Sequence, residues 1–276
     1  MPQLNSNHSR REFLLASSAV SLATLLPRAL DAQTSAPQAV DNSNPVFAAT
    51  PRDTILKFNH DGSRRSFAGN TIICHLPQQC RVRDLTAALG SALRTSPFAP
   101  KLGLLPSDSY HISIFPGVND QDRAVYGWPA DIPIDVPMRE CNRIIGERIA
   151  SFKMREELPI RVRVDEEQTY GPERVSTLRI SPADDGENAK LRGLRDRLAS
   201  EVFKFRSKDH DTFGFHVTLA YQMSPLTIEE ERAYQAILKQ HVPKIIAAAP
   251  VIELGDPEFC TFEDMYRFEI RSLLKT

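Results

Sequence analysis

The sequence predicts an α+β fold of duplicated, bilobal plan: two antiparallel sheets forming a central groove, with helices on the outside. Three observations lead there. The order helix, strand, helix, strand, strand occurs twice between residues 81 and 273. Apolar residues switch repeatedly between helical spacing and strict alternation, which separates the helices from the strands. The middle strand of each copy carries the same short pattern, Tyr110-His111-Ile112-Ser113-Ile114 in the first and Phe215-His216-Val217-Thr218-Leu219 in the second.

The elements follow in order. "GNTIICHL" at 69–76 is β-branched and apolar, as a strand requires. Residues 81–96 place Leu85, Ala88, Leu89 and Ala92 on one helical face, and Pro97 ends the helix. The strand within "SYHISIFPGV" comes next, then a long loop, then a helix over 138–154 with Cys141, Ile144, Ile145, Ile149 and Phe152 inward. Ile160, Val162 and Val164 alternate with Arg161 and Arg163 in one strand, and "RVSTLRIS" at 174–181 forms another. The second copy opens with a helix over 188–205 and leads into the strand 214–223. Thr227 with Glu230 makes a capping box for a helix through about 240, with Pro243 expected to stop it. Strands at 251–254, 258–262 and 265–273 close the chain.

A length of 276 residues, 41% of them hydrophobic and 25% charged, allows a sizeable core. The 34 basic against 35 acidic residues create no global field that would hold DNA or an anionic membrane. Any phosphate recognition must therefore be local. Arg10 and Arg11 precede an apolar stretch running from Phe13 to Leu26, and a small residue, Ala32, follows "RALD". This layout resembles a twin-arginine signal peptide over 1–32, which implies a twin-arginine translocase as partner during export and a periplasmic destination. The apolar stretch is too short for a stable membrane span. Residues 33–68 read as a flexible linker and lead-in, and 69–276 as the folded domain. Cys74, Cys80, Cys141 and Cys260 have no metal-finger spacing; buried thiols are expected, with Cys74 and Cys80 the one local disulfide candidate.

On a strand, His111, Ser113 and Phe115 share one face, as do His216, Thr218 and Ala220. If both strands face one groove, two imidazoles and two hydroxyls surround a single point. Such a set suits a phosphodiester. One neutral imidazole takes a proton from water and the other, as imidazolium, protonates the departing oxygen. The hydroxyls of Ser113 and Thr218 donate to the non-bridging oxygens. Neither a metal nor another cofactor is expected, because two histidines without a carboxylate or third imidazole at motif spacing make a weak ligand set. Phe115 either offers a ring for a base to stack on or plugs the groove floor. Arg123, Tyr126 and Trp128, in the loop after the first motif, are possible substrate contacts, although Arg123 also reads as a solvated surface residue.

At these residues the chain resembles the two-histidine (2H) phosphoesterase superfamily, whose members carry two His-x-Ser/Thr-x motifs on a duplicated α+β fold. "HISI" at 111–114 and "HVTL" at 216–219 match that pattern, within a resemblance covering about residues 69–273. "LPSDSYHISIFPGVNDQDR", the Trp128-Pro129 pair and "FHVTLAY" look like a bacterial and fungal branch rather than the RNA-end processing members. The resemblance implies hydrolysis of a 2′,3′-cyclic nucleotide or a related small cyclic phosphate. His111 and His216 would be acid and base, and Ser113 and Thr218 phosphate ligands. Ser113 stands where many members have Thr, and Pro116 directly after the strand is a further departure. A non-catalytic phosphate- or nucleotide-binding protein using the same groove is the competing reading. Ligation of RNA ends suits an exported protein poorly.

Overall fold

The computed structural model describes residues 52–77, 79–171 and 177–276; the expected signal segment 1–32 and residues 33–51 of the expected linker lie outside them. The described residues hold seven α-helices and ten strands. α1 (Arg52–Lys57) precedes β1 (Gly69–His75), α2 (Arg81–Arg94), β2 (Leu102–Leu104) and β3 (His111–Phe115). Then come α3 (Arg123–Tyr126), α4 (Met138–Ser151), β4 (Arg161–Val164), α5 (Glu166–Thr169) and β5 (Thr177–Pro182). The chain continues through α6 (Asp185–Arg197), β6 (Phe215–Thr218), β7 (Ala220–Gln222), α7 (Ile228–Ala248), β8 (Ile252–Glu253), β9 (Glu258–Asp264) and β10 (Arg267–Leu273). Among the described residues, no helix is long and apolar enough to cross a membrane.

The sheet plan differs from the expected pair of sheets facing across a groove. Eight strands form one antiparallel sheet in the order β10-β9-β1-β3-β6-β5-β4-β8, and β2 pairs with β7 in a separate ribbon. The two histidine strands are neighbours at the centre, meeting through the pair Ile112 and Val217. The connectivity explains this. The β4–β5 hairpin, which follows the first motif in sequence, extends the sheet from the second motif strand, while β9–β10 extends it from β1 beside the first. Strands from each half of the chain thus extend the sheet on the other half's side.

Ile112 and Val217 point away from the histidines and are buried, as the alternation requires. α4 packs against β1, β9 and β10, α6 against β3 and β5, and α2 lies along α7. The capping box of Thr227 and Glu230 is present at the start of α7. That helix does not stop at Pro243 but runs on to Ala248. Tyr234, Leu238, Val242 and Ile245 form a continuous buried stripe, so packing on both sides of the proline outweighs its missing backbone donor. The helix expected over 188–205 begins at Asp185, capped by the Asp184 carboxylate, and widens into π geometry from Leu198 to Phe203.

Residues 52–68 are not a loose lead-in. Phe58 and Phe67 join the core, and the amide of Phe67 bonds to the Glu263 carbonyl beside the sheet. The four cysteines are free thiols: Cys74, Cys141 and Cys260 are buried, and Cys80 caps α2 by accepting from the amide of Arg83 at 3.4 Å.

The turn after β3 is locked. Gly117 has φ of +65°, and a Cβ there would lie 2.0 Å from the Asn70 carbonyl oxygen, so only glycine fits. The buried Asn70 side chain accepts from the amide of Val118 and donates to Asn142 at 2.7 Å. "FPG" therefore ends the first motif strand as a fixed corner.

Candidate active site

The pairing of Ile112 with Val217 sets the geometry of the four motif side chains. Extended by one residue each way, this register places His111 opposite Thr218 and Ser113 opposite His216, all on one face. Opposed side chains on an antiparallel pair have Cβ atoms about 4.5–5.5 Å apart, and diagonal neighbours sit roughly 7–8 Å apart. Each imidazole therefore faces the other motif's hydroxyl. The two histidines are diagonal neighbours on this face, and the two hydroxyls form the other diagonal.

Both rings are oriented in the same way. His111 Nδ1 lies 2.7 Å from the Ser109 carbonyl, and His216 Nδ1 lies 2.9 Å from the Gly214 carbonyl. A carbonyl can only accept, so each Nδ1 carries the proton and each neutral ring has its lone pair on Nε2. The sequence expresses this as a carbonyl two residues before each histidine. Both supports are themselves anchored. Ser109 is buried and donates through its hydroxyl to the Pro106 carbonyl. The segment before Gly214 is held by Arg192, donating to the Phe213 carbonyl, and by the fully buried Arg195, donating to the His210 carbonyl. Arg195 also donates to the Ile114 carbonyl, so one guanidinium ties the second histidine's loop to the first histidine's strand.

The two histidines differ in their surroundings. Burial pushes the His111 pKa down to about 3, opposed by its bond to the Ser109 carbonyl and reinforced by the nearby charges of His75, His216 and Lys57. His111 is thus neutral at pH 7. That His216 acts on it electrostatically accords with the diagonal placement.

Neighbouring strands add groups that the motif does not contain. His75 is the register partner of His111 on β1, with ring centres 6.1 Å apart, and Arg179 is the partner of His216 on β5. The Phe268 ring meets His111 edge-on at 4.3 Å. Lys57, at the end of α1, lies 3.3 Å from the Tyr221 hydroxyl and over that ring. None of His75, Lys57 and Arg179 belongs to either sequence motif. Only strand register and the packing of α1 bring them here.

Three expected contacts are placed elsewhere. Ser113 pairs with Ile73, but the next pair is Phe115 with Ile72, leaving Ile114 as an extra residue. This bulge reverses the alternation beyond Ser113 and turns Phe115 away from the histidines. Its ring is 1% exposed and stacks on Phe203 at 4.5 Å, which makes it part of the core on the face opposite the histidines. Arg123 donates to Asp120 and to the Ile134 and Val136 carbonyls, with its guanidinium 4.3 Å from the Trp128 ring. Trp128 donates to the Ile132 carbonyl. Arg123 and Trp128 thus pin the loop to itself. The side chain of Tyr126 lies outside the described residues.

The register thus brings two imidazoles and two hydroxyls to one face of the sheet. Residues 57–171 match the family described as "2H-phosphodiest: Domain of unknown function (DUF1868)". That match covers the first motif but not the second, and it supports a 2H phosphoesterase-like family. Among solved structures, the chain is similar to the conserved protein of unknown function ATU0111 from Agrobacterium tumefaciens str. C58. The two are 28% identical with a TM-score of 0.75, over 83% of this chain and 95% of the other. No curated protein matches.

Proposed function

We propose that the protein hydrolyses a cyclic phosphodiester, a 2′,3′-cyclic nucleotide or a related small cyclic phosphate, by two-histidine acid–base catalysis that draws on no metal. The observation that carries this reading is the matched pair of Nδ1-anchored imidazoles, each set by register opposite the other's hydroxyl. His111, held neutral, is the general base that takes a proton from the attacking water at Nε2. His216, as imidazolium, protonates the departing ester oxygen. Ser113 and Thr218 donate to the non-bridging oxygens as charge builds on them.

A panel of 2′,3′-cyclic nucleotides and small cyclic phosphates tests the reaction, with the opened monoester as the expected product. Tight binding with no product would favour the phosphate- or nucleotide-binding alternative. The pH profile tests the roles. A base works deprotonated, and a lowered pKa means activity is lost only as pH falls through that lowered value. The acid limb of kcat/KM is therefore expected at least about one unit below the 6.5 of an ordinary histidine. An acid limb at the ordinary position would remove the assignment of His111 as base.

We also propose export through residues 1–32, on the strength of Arg10, Arg11 and the apolar stretch behind them. Changing both arginines to lysine should leave the chain in the cytoplasm by fractionation. Unaltered export of that variant would overturn this reading.

A further inference from the structure

Beside the histidine pair, on the β1–β9 side of the sheet, three side chains of different donor type converge. His75 Nδ1, a Glu258 carboxylate oxygen and Cys260 Sγ all lie within 4.8 Å of one another. His75 and Glu258 are each 14% exposed, and Cys260 is fully buried. The Glu258 oxygen that contacts His75 is also 3.9 Å from Cys260 Sγ. Register builds the cluster. Glu258 pairs with Ile73 and Cys260 with Thr71, so both face the side of β1 that carries His75.

A nearly buried carboxylate ordinarily needs a cation. Among the described residues no lysine or arginine pairs with Glu258; its ion-pair partner is His75. One nitrogen, one oxygen and one sulfur donor are the ligand types of a three-coordinate protein site for zinc-like ions, which leaves a fourth position open. At bond lengths of about 2.0–2.3 Å to the ion, tetrahedral ligand atoms lie about 3.3–3.7 Å apart. The three donors lie within 4.8 Å of one another, so side-chain shifts of about 1 Å would bring them to that spread.

We infer that His75, Glu258 and Cys260 form a binding site for one thiophilic transition-metal dication of the Zn²⁺ class, adjoining the proposed phosphodiester site through the His75–His111 pair. On binding, Cys260 loses its proton to solvent, the proton between His75 Nδ1 and Glu258 is displaced to Nε2 or solvent, and thiolate and carboxylate together balance the dication's charge. The site is distinct from the acid–base pair, whose chemistry does not depend on it.

Titration of the metal-stripped full chain with Co²⁺ tests this. One equivalent is expected to bind with a near-ultraviolet thiolate-to-cobalt charge-transfer band, and Zn²⁺ should bleach the band. Cys260→Ser should abolish it, whereas Cys74→Ser should keep it as a control for the other nearby thiol. Since Cys260 is buried, His75→Gln provides a second test at a partly exposed position, with affinity expected to fall at least about tenfold. A wild-type chain without the band, a band that survives in Cys260→Ser, or wild-type affinity in His75→Gln would each overturn the inference.

Discussion

Replacing either His111 or His216 with alanine is expected to lower kcat on a cyclic phosphodiester by about 10²–10⁴-fold, while circular dichroism shows the fold unchanged. Both rings are only partly buried, so truncation opens no sealed core cavity. The loss comes from chemistry. Without His111 no neutral imidazole takes the proton from water, and without His216 no imidazolium meets the leaving oxygen. Because the two act in one proton-transfer cycle, the double variant should be little slower than the worse single one. Single-turnover kinetics on the cleaved substrate measures this directly. Wild-type rates in both single variants would end the acid–base proposal.

The second large effect belongs to the hydroxyls. Ser113→Ala and Thr218→Val should each cost roughly 10²-fold, carried mainly by kcat, because a donor aimed at a non-bridging oxygen strengthens as charge develops there. Neither hydroxyl makes a hydrogen bond to another described residue, so its removal leaves no described partner stranded. Thr218→Ser keeps the donor and should retain most activity. A loss confined to KM in both hydroxyl variants would instead mark them as ground-state contacts. Equal losses in Thr218→Ser and Thr218→Val would show that the methyl group matters rather than the hydroxyl.

The motif residues were legible because their chemistry and their strand period sit in the same five-residue window. His111 and Ser113 share a face by alternation alone, and a second copy at 216–218 doubles the signal. Phe115 shows where that reasoning stops. Alternation carries a side chain's direction along a strand only while the ladder is regular, and the extra residue at Ile114 breaks it one position before Phe115. Pro243 is the corresponding case in a helix, where local propensity predicted an end and a buried stripe carried the helix through. The loop residues Arg123 and Trp128 looked like recognition groups because of their type and place. They are engaged by the loop's own carbonyls and by each other.

By itself the sequence determined the mixed α+β class, the twin motif strands and the shared face of His111 with Ser113 and of His216 with Thr218, because those follow from local periodicity and residue type. Only the tertiary structure decided that the motif strands are adjacent in one sheet, since strand order depends on which distant hairpin completes each edge. It also decided which groups flank the histidines. His75, Lys57 and Arg179 reach the site through pairings and packing between segments up to 164 residues apart, and no local pattern encodes such contacts.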